Sequence, residues 1–215
     1  MEWRGINMKL KKRFRKILII LLFIVVGVLG FFTAKHMIPK EKPVKEAKVV
    51  NEVDKYGYQL KENKPKKYKE LFGELKEILH AETVDETKYA SKVAEMFIYD
   101  FYSLNDKTAK TDVGGVDFVY SGILPNFLQN AENTYYKYVE SNLYNNRKQP
   151  LPVVADISIN SVTQGEFAYG DLNDPQAFVI QASWTYTDSQ FAGYQSSAQL
   201  VLVHENEKLW LVELQ

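Results

Sequence analysis

The sequence predicts an α+β domain that follows a single membrane-spanning helix. An unbroken run of eighteen apolar or small residues, 17–34, comes early in the chain. Beyond it, apolar residues recur first at helical spacing and then, in the last third of the chain, alternate with polar residues at strand spacing. Helices followed by a set of antiparallel strands are typical of a sheet that carries its helices on one face.

The apolar run begins at Ile17 and ends at Ala34, which is close to the lower limit of roughly 17–25 residues for a spanning helix. The alternative is a cleaved secretory signal. Its apolar core is shorter, and cleavage after Ala34 would place Phe32 where a small residue is needed. The sixteen residues before the run carry seven basic side chains and one acidic side chain. We therefore expect an uncleaved anchor with a cytoplasmic N-terminus, whose basic stub contacts anionic lipid headgroups.

Charge is unevenly distributed along a chain whose formal net charge is zero. Residues 1–16 carry +6, residues 35–70 carry +5, and residues 71–215 carry −11. An acidic outer domain repels phosphate, which argues against nucleic acid as a partner. The chain has no cysteine, so disulfides, thiol nucleophiles and iron–sulfur clusters are excluded. We expect no cofactor, and a domain that is stabilised by its apolar core.

Residues 35–64 are predicted to form a stalk that is rich in Lys and Glu, because they contain prolines and show poor periodicity. Within the stalk, YGYQL at residues 56–60 is either a short strand or a docking segment. The predicted extracytoplasmic domain comprises residues 65–215, long enough to bury a proper core.

Three helices are predicted at the start of this domain. Pro65 opens the first, residues 66–80, whose apolar residues recur at three- and four-residue spacing. The second, residues 85–104, opens with acidic side chains that suit a helix N-terminus, and its wide apolar band predicts the most buried helix. An exposed loop follows over residues 104–115. The third helix is predicted from Pro125 to about residue 144.

The remaining third of the chain predicts four or five antiparallel strands, because apolar and polar residues alternate and the connections are short. The segment 167–169 either extends the first strand or pairs with it. The predicted strands are residues 153–162, 177–188, 193–204 and 209–214.

This order of elements resembles the NTF2-like cone fold, in which helices pack into a strongly curved antiparallel sheet. One span followed by such a domain is similar to the assembly-factor subunits of type IV secretion and conjugation systems. DFYSLNDK and DVGGVDFVYSG also resemble segments of uncharacterised membrane-anchored proteins of Gram-positive bacteria. The resemblance implies a domain in the cell envelope, and it carries over no site residue. It rests on FIYDFY (97–102), VVADISIN (153–160), AFVIQASWTY (177–186) and SAQLVLVHE (197–205).

Asp100 lies between aromatic residues in the second predicted helix. A carboxylate in an apolar cavity can have a raised pKa and serve as a general base. The alternative is a structural carboxylate on the wetter side of the helix, or one that is bonded to a tyrosine. If the interior of the cone is open, it could hold a small apolar or lipidic ligand. The candidates for lining that interior are Phe97, Asp100, Phe101 and Trp184.

Aromatic residues of the third predicted helix are candidates for an interface. Tyr135 lies on its apolar face, whereas Phe127, Tyr136 and Tyr138 point elsewhere. Exposed aromatic side chains are good interface anchors, because they bury a large area at a small entropic cost. The alternative is that these side chains cover the rim of the sheet or the mouth of the cone.

Catalytic and metal-binding motifs are not recognisable in the sequence. His36, His80 and His204 lie far apart without metal-ligand spacing, and no serine has a GxSxG setting. We therefore predict a non-enzymatic, single-pass membrane protein whose outer domain binds envelope proteins or itself. A ligand-binding module is the alternative, and an enzyme that uses Asp100 is a third hypothesis.

Overall fold

The computed structural model describes residues 47–170 and 172–215 of the chain. In these residues a two-stranded sheet precedes three helices, and a four-stranded antiparallel sheet follows them. The α+β class that the sequence predicts is therefore confirmed. The helices are α1 (Lys66–Leu79), α2 (Glu86–Tyr102) and α3 (Leu124–Asn133). The strands are β1 (Val49–Val53), β2 (Tyr58–Lys61), β3 (Val154–Tyr169), β4 (Leu172–Tyr186), β5 (Ser197–Glu205) and β6 (Lys208–Leu214).

The predicted basic stub and membrane helix, residues 1–34, lie outside the described residues, as does the first part of the stalk. Over the described ranges, none of the helices combines the length and the apolar character that a membrane span requires.

The prediction that the stalk reaches residue 64 is wrong from Val49 onward. β1 and β2 pair as an antiparallel hairpin, and Tyr56, Tyr58 and Leu60 are buried in the same core as the helices. The hydroxyl of Tyr58 lies 2.9 Å from that of Tyr89 on α2 and donates to the carbonyl oxygen of Leu209 on β6. The folded domain therefore begins before Pro65.

The first two helices lie where apolar periodicity predicts them. Asp85 caps α2, since its side chain accepts a hydrogen bond from the backbone N–H of Lys88. Eleven residues of α2 are buried, against five of α1, which confirms α2 as the more buried of the two. Because α2 is buried on most of its circumference, any polar side chain on it must find a partner inside the domain.

The third helix ends at Asn133, so the prediction that it continues to residue 144 is wrong. Asn and Thr have low helix propensity, and the Thr134 hydroxyl donates to the carbonyl oxygen of Asn130, as is common where helices end. The chain then turns, and the backbone N–H of Tyr136 donates to the carbonyl oxygen of Ala131. This turn directs Tyr136 into the core, where it is 0% exposed.

The large sheet is a meander in which consecutive strands are neighbours, in the order β3–β4–β5–β6. Residues 167–169 extend β3, which resolves the choice that the sequence left open. β3 has 16 residues and β4 has 15, whereas β5 has nine. The hairpin of β3 and β4 therefore continues beyond the part of β4 that pairs with β5, which is Phe178–Ser183.

Alternation along the strands places apolar side chains on both faces of this sheet. Leu200 and Leu202 join the large core that includes the helices, whereas Val201 and Val203 belong to a second, smaller cluster. This pattern follows from the two-residue period of a strand. The helices cover the first face, which carries the main core, and the smaller cluster lies on the opposite face.

Candidate functional site

The aromatic residues predicted to line an open interior are buried among other rings. Phe97 and Phe101 are stacked on α2 with centroids 5.4 Å apart, and Trp184 contacts the ring of Tyr102. Phe101 also borders a groove of about 420 Å³ that runs between α3 and the C-terminal end of β6. The structure thus brings Phe97 and Phe101 together and places Trp184 on their neighbour, with most of the space between them filled by side chains.

Asp100 is the centre of a buried ionic cluster. Its carboxylate accepts hydrogen bonds from Lys107 Nζ at 2.9 Å, Lys64 Nζ at 2.7 Å and the backbone N–H of Gly115 at 2.8 Å. Asp100 and Lys107 are each 4% exposed. Lys64 directly precedes α1, Asp100 is on α2, and Lys107 is in the loop predicted to be exposed. The cluster therefore joins the segment before α1, α2 itself and the loop that follows α2.

Two glycines allow the backbone to approach this cluster. A Cβ atom on Gly114 would lie 1.9 Å from the carbonyl oxygen of Asp100, and one on Gly115 would lie 2.7 Å from the ring of Phe97. Gly115 also has φ +75°, a conformation that favours glycine. The Gly114–Gly115 pair is thus a structural turn that aims an N–H group at a carboxylate.

The pKa of Asp100 is lowered to about 2. Burial alone would raise it, but Lys107, Lys64 and the Gly115 N–H together outweigh the desolvation. A general base needs a pKa near the working pH, so the lowered pKa favours the structural interpretation of Asp100 over the general-base interpretation. Because the folded-state pKa lies below the unfolded value, the cluster stabilises the fold above about pH 4 and loses this contribution as the pH falls towards 2.

Lys64 and Lys107 are the site residues that sequence reasoning missed. Lys107 shares its loop with Lys110, and nothing local distinguishes the lysine that is buried from the one that is not. The available signal was indirect: an aspartate on the most buried helix needs a cationic partner, and an adjacent loop with lysines can supply one.

The three predicted interface residues lie in three different environments. Phe127 packs on α3 against the rings of Phe97 and Phe101. Tyr136 was expected to point away from the core, yet its hydroxyl accepts from the Gly114 N–H and donates to the carbonyl oxygen of Phe101. Tyr138 is 75% exposed, so it alone of the three is an accessible anchor.

The strand β3 is the candidate interaction surface. β4 pairs with one edge of β3, and no segment of the described chain pairs with the other edge. Such an edge presents free N–H and C=O groups that can bind an incoming strand. Natural edges are commonly blocked by Lys or Pro, and the sequence of β3 contains neither. The edge is thus chemically able to accept a further strand.

The strands β3, β4 and β5 lie in a stretch of the chain without basic residues. Residues 149–207 contain seven acidic side chains and no Lys or Arg. On β3 itself, Asp156 and Glu166 are exposed. The free edge of β3 is therefore flanked by negative charge, which favours a partner that carries positive charge.

His204 and Asp174 form a hydrogen-bonded pair beside α2. His204 Nδ1 lies 2.8 Å from Asp174 Oδ2, and its Nε2 lies 3.7 Å from Glu86 Oε2. Within the described residues no hydroxyl hydrogen-bonds to His204 Nε2, and no group of three or more His, Cys, Asp or Glu is arranged to hold a metal ion. The arrangement ties the end of β5 to the beginning of α2.

The chain matches no protein-family model, no curated protein and no solved structure. Its function is therefore inferred from its own sequence and geometry.

We expect Asp100→Asn to lower the free energy of unfolding by about 1–3 kcal/mol, because it leaves the buried Lys107 ammonium with only the partly exposed Asp106 as a counter-ion, 3.1 Å away. Urea unfolding of the full chain in detergent micelles measures the change. Glu70→Gln is the matched control, since Glu70 pairs with Lys66 on the surface of α1 and such a pair contributes about 0–1 kcal/mol. Wild-type stability in the Asp100→Asn variant would contradict a structural role for the cluster.

Proposed function

We propose that this chain is a single-pass membrane protein whose domain lies outside the cytoplasm and binds an extended segment of another envelope protein. The observation that carries the proposal is the free edge of β3, which is long, contains no Lys or Pro, and carries the exposed acidic residues Asp156 and Glu166. Strand addition to such an edge supplies main-chain hydrogen bonds for affinity and side-chain contacts for specificity.

The anchor in this proposal is residues 17–34, with the basic stub, residues 1–16, in the cytoplasm. The length of the apolar run and the seven basic residues before it support both the span and its orientation. In this arrangement residues 35–46 link the membrane to the folded domain.

The fold of the domain supports an assignment to the NTF2-like cone class. Its helices precede an antiparallel meander and cover one face of it. The register of the β3–β4 pairing shifts at three places and that of the β5–β6 pairing at one, and bulges of this kind bend strands. The order of elements, one predicted span followed by helices and then a sheet, resembles that of assembly-factor subunits of secretion and conjugation systems, and this resemblance supports a role in assembly at the envelope.

A basic segment of a different protein fits the edge better than a second copy of the chain does. A second β3 would bring only Asp156 and Glu166 to an edge that already carries them, and like charges on facing strands are unfavourable. A segment with Lys or Arg would place opposite charges beside both acids. The occupant is therefore a basic, extended segment of a neighbouring envelope protein.

The orientation can be tested cleanly because the chain contains no cysteine. We expect a membrane-impermeant maleimide to label Ser189→Cys in intact cells, since Ser189 is an exposed residue of the proposed outer domain. It should label Asn7→Cys in the stub only after permeabilisation. Labelling of Asn7→Cys in intact cells, with Ser189→Cys protected, would mean the opposite topology.

A photo-crosslinking amino acid at Gln164, which is exposed on β3, should capture a partner in intact membranes. Mass spectrometry of the product should identify a peptide from another envelope protein that carries Lys or Arg. The double substitution Asp156→Lys and Glu166→Lys should reduce the yield at least about tenfold, because it reverses the charge beside the edge.

The matched control places the same crosslinker at Glu77, an exposed position on α1, where the yield should be low. Glu77→Lys is the control for charge reversal and should leave capture at Gln164 unchanged. A β3–β3 dimer as the captured species would overturn the choice of occupant. A yield that the double substitution does not change would overturn the role of charge.

A further inference from the structure

A second site, separate from the edge of β3, is a pocket of about 320 Å³ beside β6. Its apolar walls come from all three helices and from the turn before α3. Ligand pockets in proteins are commonly about 300–1,000 Å³, so this one has room for a single small molecule. The apolar walls are Tyr68 and Phe72 of α1, Met96 of α2, Phe118 of the turn and Leu124 of α3.

Lys208 at the start of β6 supplies a positive charge to this pocket. Its Nζ donates to the carbonyl oxygen of Asp117 at 2.9 Å, and no carboxylate among the described residues lies within 4.0 Å of that nitrogen. The side chain of Asp117 instead lies 3.8 Å from Lys61 Nζ. Lys208 is therefore a half-buried ammonium group that no carboxylate of the described residues contacts directly.

The charge on Lys208 persists at neutral pH. Burial lowers the pKa of Lys208 to about 8, and nearby Asp117 opposes this effect only in part. The ammonium group is thus mostly protonated at pH 7, although it has lost part of its hydration. An anion that entered the pocket would restore a favourable electrostatic environment.

Two aromatic rings flank the same ammonium group. Lys208 Nζ lies 3.8 Å from the ring centroid of Trp210 and 4.8 Å from that of Tyr58. Such cation–π contacts hold the charge in place without neutralising it. The indole N–H of Trp210 is also buried and has no acceptor within the described part of the chain. The wall formed by β6 therefore presents two hydrogen-bond donors, the Lys208 ammonium group and the Trp210 indole N–H, and the indole N–H has no acceptor among the described residues.

We propose that this pocket binds a small aromatic monocarboxylate. The carboxylate accepts a hydrogen bond from Lys208 Nζ, and the ring of the ligand packs against Phe72 and Phe118. Lys61 and Asp117 also line the pocket, but they lie 3.8 Å from each other, so Lys208 is the lysine left to match one negative charge. A charge-assisted hydrogen bond in a partly desolvated site is stronger than one in water. The apolar lining favours a ligand whose carboxylate is attached to an apolar group.

Two other classes of anion fit less well. Inorganic phosphate has no apolar surface to bury against the aromatic walls of the pocket. A long acyl chain exceeds a volume of about 320 Å³. Size and charge together therefore select a compact, singly charged ligand with one ring.

Phenylacetate is the probe, and calorimetric titration of the full chain in lipid nanodiscs at pH 7 is the measurement. We expect saturable binding to the wild type, and at least about tenfold weaker binding to Lys208→Met, which removes the charge but retains most of the volume. The neutral analogue 2-phenylethanol should bind the wild type more weakly than phenylacetate does. The affinity of 2-phenylethanol should be the same for the Lys208→Met variant as for the wild type.

Lys55→Met is the matched control, because Lys55 also lies over a tyrosine ring, that of Tyr56, but outside the pocket. Its phenylacetate affinity should stay within about twofold of the wild type. If Lys208→Met lowers the thermal stability of the chain, Leu124→Trp provides the second test. It fills the pocket and retains the ammonium group, so it should also abolish binding.

Three results would overturn the proposal. The first is that phenylacetate shows no saturable binding to the wild type. The second is that phenylacetate binds the wild type and folded Lys208→Met with equal affinity. The third is that millimolar inorganic phosphate displaces phenylacetate. The last would indicate a general anion site. Each result concerns β6 and the helices, so none depends on whether the edge of β3 binds a partner.

Discussion

The carboxylate of Asp100 is buried and yet ionised, and the arrangement of the domain around α2 depends on the groups that neutralise it. Lys64, Lys107 and the N–H of Gly115 approach it from three segments. Removal of two or three charges from water is costly, so such a cluster is stable only when every partner is in place. The cluster consequently fixes the start of α1, the loop after α2 and the glycine turn relative to one another.

This constraint bears directly on function. A carboxylate that two lysines hold in its ionised form is a poor proton acceptor, which argues against Asp100 as a general base. Phe97, Phe101 and Tyr136 fill the surrounding interior, and the Tyr136 hydroxyl hydrogen-bonds the backbone N–H of Gly114 and the carbonyl oxygen of Phe101. The unsatisfied chemistry lies elsewhere, in the free backbone groups of β3 and in the Lys208 ammonium group, which no carboxylate of the described residues contacts directly. One proposed site therefore lies at the edge of the large sheet, and the other is a pocket beside β6 that is walled by side chains of the core.

The sequence predicted elements with strong periodicity and failed where tertiary contacts decide. The first two helices and the central parts of the four strands of the large sheet follow from apolar spacing alone, because burial of one face dictates their period. The end of α3 could not be predicted in the same way, because Tyr136 turns inward and its hydroxyl hydrogen-bonds the backbone of Gly114 and Phe101, which are distant in sequence. The β1–β2 hairpin was assigned to the stalk for a similar reason, because its burial depends on Tyr89 and on β6.

The candidate sites were harder to predict than the fold. Asp100 was recognised from its apolar neighbours, but its partners Lys64 and Lys107 belong to segments that read as solvated. The free edge of β3 depends on the order of the strands, and the pocket at Lys208 depends on how β6 meets the helices. None of these relations is local in sequence.

The titration of the Asp100 carboxyl group, followed by its ¹³C chemical shift in the full chain between pH 6 and pH 2, tests this account most directly. Asp100→Asn provides the assignment. The ion-paired cluster predicts that the carboxyl group stays ionised down to about pH 3 and titrates with a pKa of about 2. A pKa above that of an ordinary aspartate, about 3.9, would contradict the cluster and restore Asp100 as a candidate general base.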